Sequence, residues 1–374
     1  MNPQIKDVIT ENNILKFTLN NINVSLANAI RRIILSEIPT LAFITDTFET
    51  NQCKIEVNTS RLHNEIIKQR LSCIPIHVKV NQTGEETDPL TGKYILDLDV
   101  SNETDNIIYV TTENFKIKNK TNGHYLTEEE TRKIFPKNEI TQSFIDLCRL
   151  RPKISESIPG EQLRLTCEFS ISTAKENSMY NVVSKCAYSN TIDVLKKNSV
   201  WEKYREELSS SDGITQQEIE FQKKNFELLD AQRYFIEDSF DFVIQTVGVY
   251  ENNEIVKRGC LTLQHKFIDF IKQIDSDIVP IHRSETTMDN CFDITLENED
   301  YTMGKAIEYV LHDVFFKKEK KLSFCGFKKF HPHDANSTLR IAFIDNQDKT
   351  EARQILRTSC VMVQDVFKKI YGMF

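Results

Sequence analysis

Few of the side chains suited to chemistry sit close together in this sequence. His331-Pro332-His333-Asp334 brings two imidazoles and a carboxylate within four residues, a set that could meet a divalent metal. The proline fixes the spacing of the imidazoles without helping them converge, and no cysteine or further histidine lies at ligand spacing. The stretch therefore reads as a polar turn between strands at 322–327 and 338–343. The pairs Asp97/Asp99 and Asp238/Asp241 are of the type used in general acid–base catalysis. Carboxylates alternating along a strand are ordinarily its solvated face. Lys317, Lys318, Lys320 and Lys321, with Lys328 and Lys329, could touch phosphate, but Glu319 interrupts them and the chain is acidic overall, which favours a solvated loop. Arg31 and Arg32 stand apart, because they are adjacent and follow an apolar helical stripe. Either both are solvated, or their guanidinium forks make bidentate contacts to carboxylates or carbonyls of a docking partner. No P-loop, GxGxxG, HExxH, GxSxG or paired CxxC is present, and ten glycines leave little for a phosphate-cradling loop.

The bulk properties are those of an ordinary globular protein. A length of 374 residues allows two or three domains, and 40% hydrophobic and 27% charged residues are ordinary for a globular protein. A net charge of −8 argues against a broad basic face for gripping nucleic acid. Nine scattered cysteines predict neither a disulfide framework nor a zinc ribbon, and suit reduced, mostly buried thiols in an intracellular protein. The first residues, MNPQIKDVITENN, are not expected to act as a signal peptide. No apolar run approaches the roughly 18 residues of a membrane span.

The elements that must position these residues are announced by a repeat. TLNNINVSLANAI (18–30) returns as TLENEDYTMGKAI (295–307) at a constant offset of 277, with Thr18/Thr295, Leu19/Leu296, Asn21/Asn298, Ala29/Ala306 and Ile30/Ile307 identical. Each copy predicts a short strand, a polar turn, a hydroxyl N-cap (Ser25 or Thr302) and an amphipathic helix. Two related half-domains packed on each other are the simplest explanation. In the first helix the stripe is Leu26, Ala29, Ile30, Ile33 and Ile34, and Pro39 ends the element. Strands follow at about 43–49 and from 54, then a short helix at 62–71 with Leu62, Ile66 and Ile67 on one side.

Short strands at 94–100, 107–111 and 115–117 follow a polar loop at 81–93. Leu163, Leu165, Cys167, Phe169 and Ile171 alternate strictly over 163–172. Together these predict an inserted β-rich subdomain. Residues 191–230 read as two charged helices separated at Ser209–Gly213. A strand at 240–250 and a helix at 254–274 bearing Phe267, Ile268, Ile271 and Ile274 come next. The final helix, 349–371, keeps Ala352, Ile355, Leu356, Ser359, Met362, Val363, Val366, Phe367 and Ile370 at 3–4 spacing. It reads equally as a helix on a sheet or as a seam against a related helix.

At these residues a family becomes recognisable. SLANAIRRIILSEIPTLAF (25–43) followed by VNTSRLHNEIIKQRLSCIPI (57–76) resembles the signature of the RNA polymerase assembly subunit: the bacterial alpha N-terminal domain, archaeal D and the third subunit of eukaryotic RNA polymerase II. DFVIQTVGVYENNEIVKRGCLTL (241–263) is similar to that family's later strand and helix. FDITLENEDYTMGKAIEYVLHD (292–313) with FCGFKKFHPHDANSTLRIAF (324–343) resembles the partner subunit, the eleventh of RNA polymerase II or archaeal L. Gly304, His331 and Pro332 fit that partner's pattern, whereas Tyr301 replaces its usual histidine and Phe327 its usual tyrosine.

The resemblance implies a fused heterodimer with an α+β fold, two strand-helix dimerisation half-domains packed as an intramolecular pseudo-heterodimer. The expected division is 1–51 with 236–276 as the first half-domain, 52–190 as the β-rich insert, 191–235 as a charged helical excursion and 277–374 as the second half-domain. The implied role is a non-catalytic assembly scaffold of a DNA-directed RNA polymerase. Its partners would be the largest, second-largest and small polymerase subunits, with no direct sequence-specific nucleic-acid binding and no membrane. The family's insert often holds a metal on clustered cysteines. Cys53, Cys73, Cys148, Cys167 and Cys186 form no such cluster, so neither metal nor cofactor is expected. Docking of the second-largest subunit is assigned to Asn28, Arg31 and Arg32, and secondarily to Asn58, Thr59, Arg61, His63 and Arg70. The intramolecular seam is assigned to Leu26, Ile30, Ile33, Ile34, Phe267, Ile271, Met303, Ile307, Val310, Leu311, Ile355, Leu356, Val363, Val366, Phe367 and Ile370. Fusion together with an Asn/Ile/Lys-rich composition suggests a large nucleocytoplasmic DNA virus, which would place the chain in virion and host cytoplasm; otherwise nucleus or cytoplasm is expected. A free-standing duplicated binding module is the alternative; a hydrolase or nucleotidyl transferase built on scattered carboxylates has no motif to support it.

Overall fold

In the computed structural model the chain begins with a hairpin, β1 (Gln4–Glu11) and β2 (Ile14–Asn20), which feeds α1 (Val24–Ser36). Next come β3 (Thr40–Ala42), β4 (Cys53–Asn58), α2 (Asn64–Ser72), β5 (Tyr94–Ser101), β6 (Ile108–Thr111), β7 (Lys116–Asn119) and α3 (Glu128–Ile134). Strands β8 (Asp146–Leu150), β9 (Gln162–Glu168), β10 (Ser170–Ser172) and β11 (Val183–Ile192) precede the helices α4 (Val194–Ser209) and α5 (Gln216–Leu228). Strand β12 (Phe235–Thr246) leads into α6 (Asn252–Asp275), then β13 (Ile281–Arg283), β14 (Cys291–Leu296) and α7 (Tyr301–Val310). A π-helical turn (Leu311–Lys318), β15 (Leu322–Lys328), β16 (Ser337–Phe343) and α8 (Lys349–Tyr371) complete it. The structure describes residues 1–81, 90–155, 157–210, 215–285 and 288–374; the expected loop at 81–93 and the break between α4 and α5 lie largely outside them.

Two units can be separated. The first holds Met1–Ile33, Lys185–Gln245 and Gly259–Phe374, the second Ile34–Ser184 and Thr246–Arg258. The first unit shows that the sequence repeat belongs to a larger duplication. One sheet has the order β1-β2-β12-β11 and the other β13-β14-β16-β15. In each, the repeat strand (β2 or β14) lies second and is followed by a helix, and the strand beside it (β12 or β16) leads into a long helix, α6 or α8. The β2–β12 and β14–β16 pairs are both antiparallel. Between the last two strands the first half inserts α4 and α5, where the second half has only the short turn containing His331 and His333.

The asparagines explain how both copies turn from strand to helix. Asn13 and Asn290 precede the repeat strands, Asn21 and Asn298 follow them, and all four have positive φ (52° to 61°). Asparagine tolerates this left-handed conformation better than most non-glycine residues. The caps differ from expectation. Asn23 Oδ1 accepts from the Ser25 amide, and Asp300 Oδ1 accepts from the Thr302 amide. The capping groups are thus Asn23 and Asp300, again 277 apart, while Ser25 and Thr302 fall inside the first turns. A short side chain carrying an oxygen acceptor reaches the free N–H groups from the residue before the helix.

Nearly every residue assigned to the seam is buried in the structure: Leu26, Ile30, Ile33, Ile34, Phe267, Met303, Ile307, Val310, Leu311, Ile355, Leu356, Val363, Val366, Phe367 and Ile370 are at most 2% exposed. Ile271 is only half-buried, as is Ile268, and Leu263, Phe270 and Ile274 carry the buried face of α6 with Phe267. Met362 is 39% exposed and Cys360 takes the buried place beside Val363. The Phe267 and Phe367 rings, on α6 and α8, lie 6.1 Å apart.

In the second unit, β4-β9-β5-β7 form a sheet, and β3 with β10 and β6 with β8 form two-stranded ladders. Three expected elements are shorter here. No strand runs over 43–49: Thr50 Oγ1 donates to the Asp46 carbonyl and the Asp46 carboxylate accepts from the Thr47 amide, and such local bonds compete with a ladder. The alternation at 163–172 is divided at Phe169, with β9 pairing to β4 and β5 and β10 to β3. The strand expected to reach residue 250 stops at Thr246, whose hydroxyl donates to the Tyr250 carbonyl and accepts from Gly248 N–H, with Gly248 at φ +108°. Ile66 is 41% exposed, so α2 buries Ile67 and Leu71 instead.

Candidate docking surfaces

Helix α1 carries the first group of expected contact residues. Arg31 Nε donates to Asn28 Oδ1 at 2.9 Å, so this pair is pre-ordered along the helix. Arg32 faces the second repeat instead. Its Nη2 lies 2.5 Å from Asp300 Oδ2 and its Nε donates to Thr302 Oγ1 at 2.8 Å. The guanidinium therefore holds the N-terminus of α7 and joins the two half-domains within the first unit. Burial raises the Asp300 carboxyl, but the Thr302 amide and hydroxyl and the Arg32 charge outweigh it and hold the group below its ordinary range. Sequence reading singled out Arg32 for docking another subunit and did not single out Asp300, although Asp300 sits 277 residues after Asn23.

Of the residues quoted for the partner-subunit resemblance, Gly304, Tyr301 and Phe327 come together in the first unit. A Cβ on Gly304 would fall 2.0 Å from the Phe327 ring, so only glycine permits this approach of α7 to β15. Tyr301 meets the same ring edge-on at 5.3 Å, and Glu308 accepts from the Phe327 amide at 3.1 Å. His331 and Pro332 lie apart in the turn. There the His331 amide donates to Asp334 Oδ2, and the His333 amide donates to His331 Nδ1. These bonds engage His331 Nδ1 and Asp334 Oδ2 within the turn. Among the described residues no group of three or more His, Cys, Asp or Glu side chains is placed to hold a metal ion.

The remaining contact residues fall in the second unit, at the end of β4 and along α2. Asn58 organises the turn: its amide donates to the Leu62 carbonyl and Asn64 Oδ1, and its oxygen accepts from the Ser60 amide and hydroxyl. Thr59 is tied to β9 through the Gln162 amide. His63 precedes α2 without a side-chain capping bond. Arg61 and Arg70 instead line a cleft of about 400 Å³ together with Arg149 and Arg151, which the sequence reading did not single out. Their signal was the alternation Arg149-Leu150-Arg151 at the end of β8, which aims both arginines to one side. Burial pushes the neighbouring Cys148 thiol up to about 11, leaving it no thiolate character at neutral pH.

The other candidate groups are placed as structural contacts. Asp241 accepts from the Thr18 and Thr191 hydroxyls, Asp97 from Tyr125, and Asp99 from Gln162 Nε2. Lys318 pairs with Asp313 and Lys321 with Glu319. No helix among the described residues is long and apolar enough to cross a membrane.

Comparison with known proteins agrees with this duplication. The profile of the RNA polymerase Rpb3/Rpb11 dimerisation domain matches residues 16–267, and a second profile of the same description matches residues 291–371. RNA polymerase II subunit RPB3 of Schizosaccharomyces pombe is 25% identical over 276 residues, covering 71% of this chain and 85% of that subunit. Human RPAC1, a subunit of RNA polymerases I and III, is 24% identical over 311 residues, covering 74% of this chain and 85% of its own. A conjugation stage-specific protein of Tetrahymena thermophila is 25% identical over 297 residues, covering 69% of this chain and 90% of its own length. With one match spanning both β2 and α6 and a second spanning β14 to α8, the chain belongs to the RNA polymerase Rpb3/Rpb11 dimerisation-domain family and carries two such domains.

Proposed function

We propose that the chain is a non-catalytic assembly scaffold of a multisubunit DNA-directed RNA polymerase, on which the largest and second-largest subunits and smaller subunits dock. The observation that carries this reading is the pair of dimerisation domains in one polypeptide, joined by Arg32 to Asp300 and Thr302. A covalent link makes their association intramolecular, at high effective concentration. In this reading 1–51 with 236–276 is the subunit-three-like half-domain, 52–190 the insert, 191–235 an excursion and 277–374 the subunit-eleven-like half-domain. The seam is the set of buried helical residues described above. Fusion and composition support a large DNA virus as the source.

Docking of the second-largest subunit is assigned to Asn28 and Arg31, with Arg32 acting chiefly inside the chain. Asn58, Thr59 and His63 shape the second surface, which Arg61 and Arg70 present. Arg31→Ala tests this more cleanly than a double change with Arg32, because among the described residues the Arg31 guanidinium hydrogen-bonds to Asn28 on its own helix, whereas Arg32 bonds to Asp300 and Thr302. Co-expressed with the two largest subunits, the Arg31→Ala chain should fold normally and recover about tenfold less of the second-largest subunit, the scale of one lost charge-assisted contact. Undiminished recovery would remove Arg31 from the interface.

A further inference from the structure

We infer that the arginine-lined cleft of the second unit receives an acidic segment of a partner protein, one that carries an apolar side chain beside its carboxylates. Arg61, Arg70, Arg149 and Arg151 make up half of the eight residues that line about 400 Å³, on a chain whose net charge is −8. They come from two places, the β4–α2 connection with α2, and the end of β8, so the cleft is assembled by the fold and is no run of basic sequence.

Three of the four guanidiniums are oriented. Arg70 Nη2 donates to the Asp146 carbonyl at 3.1 Å, and Arg149 stacks over the Tyr109 ring at 5.0 Å. Arg151 is braced by Glu161, whose buried carboxylate lies 2.5 Å from its Nη2 and also accepts its backbone amide. Glu161 offsets one of the four charges. Arg61 has no ion pair among the described residues, nor has Arg149. Oriented planar forks with free donors match carboxylates bidentately.

The apolar component follows from the rest of the lining. Leu62 and the buried Cys148 form part of the wall, and Ile107 stands 57% exposed at its edge. A leucine- or phenylalanine-sized side chain could cover Ile107 while its acidic neighbours meet the arginines. Asp146 also lines the cleft and would repel a continuous polyanion such as nucleic acid. A peptide can place its carboxylates around that charge; a phosphate backbone cannot choose its spacing.

Assigning the segment to a large polymerase subunit rests on the scaffold reading, and the test separates the two. The full-length chain is titrated with a short fluorescent peptide of glutamate and leucine, with a single-stranded oligonucleotide as counter-probe, and its recovery of large subunits is measured in parallel. Peptide binding should be saturable and salt-sensitive, and should weaken about tenfold in Arg61→Ala with Arg149→Ala, at an unchanged thermal midpoint. Arg149→Lys should rescue only partly, because an ammonium lacks the fork. Subunit recovery with peptide binding absent, or unaltered in the variant, would overturn the inference and leave the scaffold reading intact. Arginine-dependent peptide binding without recovery of large subunits would support the cleft chemistry and count against the scaffold. Stronger arginine-dependent binding of the oligonucleotide would overturn the acidic-peptide assignment.

Discussion

Asn298 has φ +55° and ends the second repeat strand, as Asn21 with φ +57° ends the first. At such a position a β-branched residue meets its own carbonyl, whereas glycine does not. Asn298→Gly should therefore leave the unfolding midpoint nearly unchanged, and Asn298→Val should cost about 1–2 kcal/mol by chemical denaturation. Equal effects of the two variants would contradict a conformational role. Two residues on, Asp300 makes a pH-dependent contribution. Its folded-state carboxyl titrates below its ordinary value, so the stability it adds is complete above the unfolded value of about 3.9 and is lost as pH falls through the folded one. Asp300→Asn keeps a good cap but removes the charge held by Arg32. The variant should be less stable than the parent at neutral pH, and this difference should shrink below about pH 4. A constant difference across that range would show that the charge is irrelevant.

At the scale of elements, α7 is set against β15 by Gly304. Gly304→Ala would drive its methyl into Phe327 and should cost about 1–3 kcal/mol, despite alanine's better helix propensity. Pairing it with Phe327→Leu, which frees space at the contact, should recover part of that loss. A stabilised single variant would mean that α7 does not press on the strand. Much of this architecture was legible in the sequence. The apolar stripes of α1, α7 and α8 are strong periodic signals, and the 277-residue offset locates both repeat units. Less legible were elements ended by side chains that bond their own backbone. Asp46 and Thr50 replace a strand, Thr246 stops one early, and Asn23 and Asp300 cap helices one residue ahead of the first helical position. Burial on one face of a long helix was also read too simply, since Met362 and Ile271 fit the spacing but Cys360 and Phe270 carry the burial. The arginine cleft was half visible. Arg61 and Arg70 sit in the recognisable motif, but Arg149 and Arg151 join them only through the placement of β8.

For the whole molecule, the central point is that two Rpb3/Rpb11-type dimerisation domains lie on one chain. Sheets of matching order, the helices that follow them and the Arg32–Asp300 contact form one unit. Of the carboxylates with the spacing of acid–base pairs, Asp97, Asp99 and Asp241 accept hydrogen bonds from Tyr125, Gln162 and the Thr18 and Thr191 hydroxyls. The direct measurement is an affinity pull-down of the tagged chain from its native source, with mass spectrometry of the eluate and a test for templated RNA synthesis. The account predicts two very large polypeptides in equal amounts with the 43.5 kDa chain, and synthesis that requires template. Repeated recovery of the 43.5 kDa chain alone would contradict it, and would make the chain a duplicated binding module outside any polymerase.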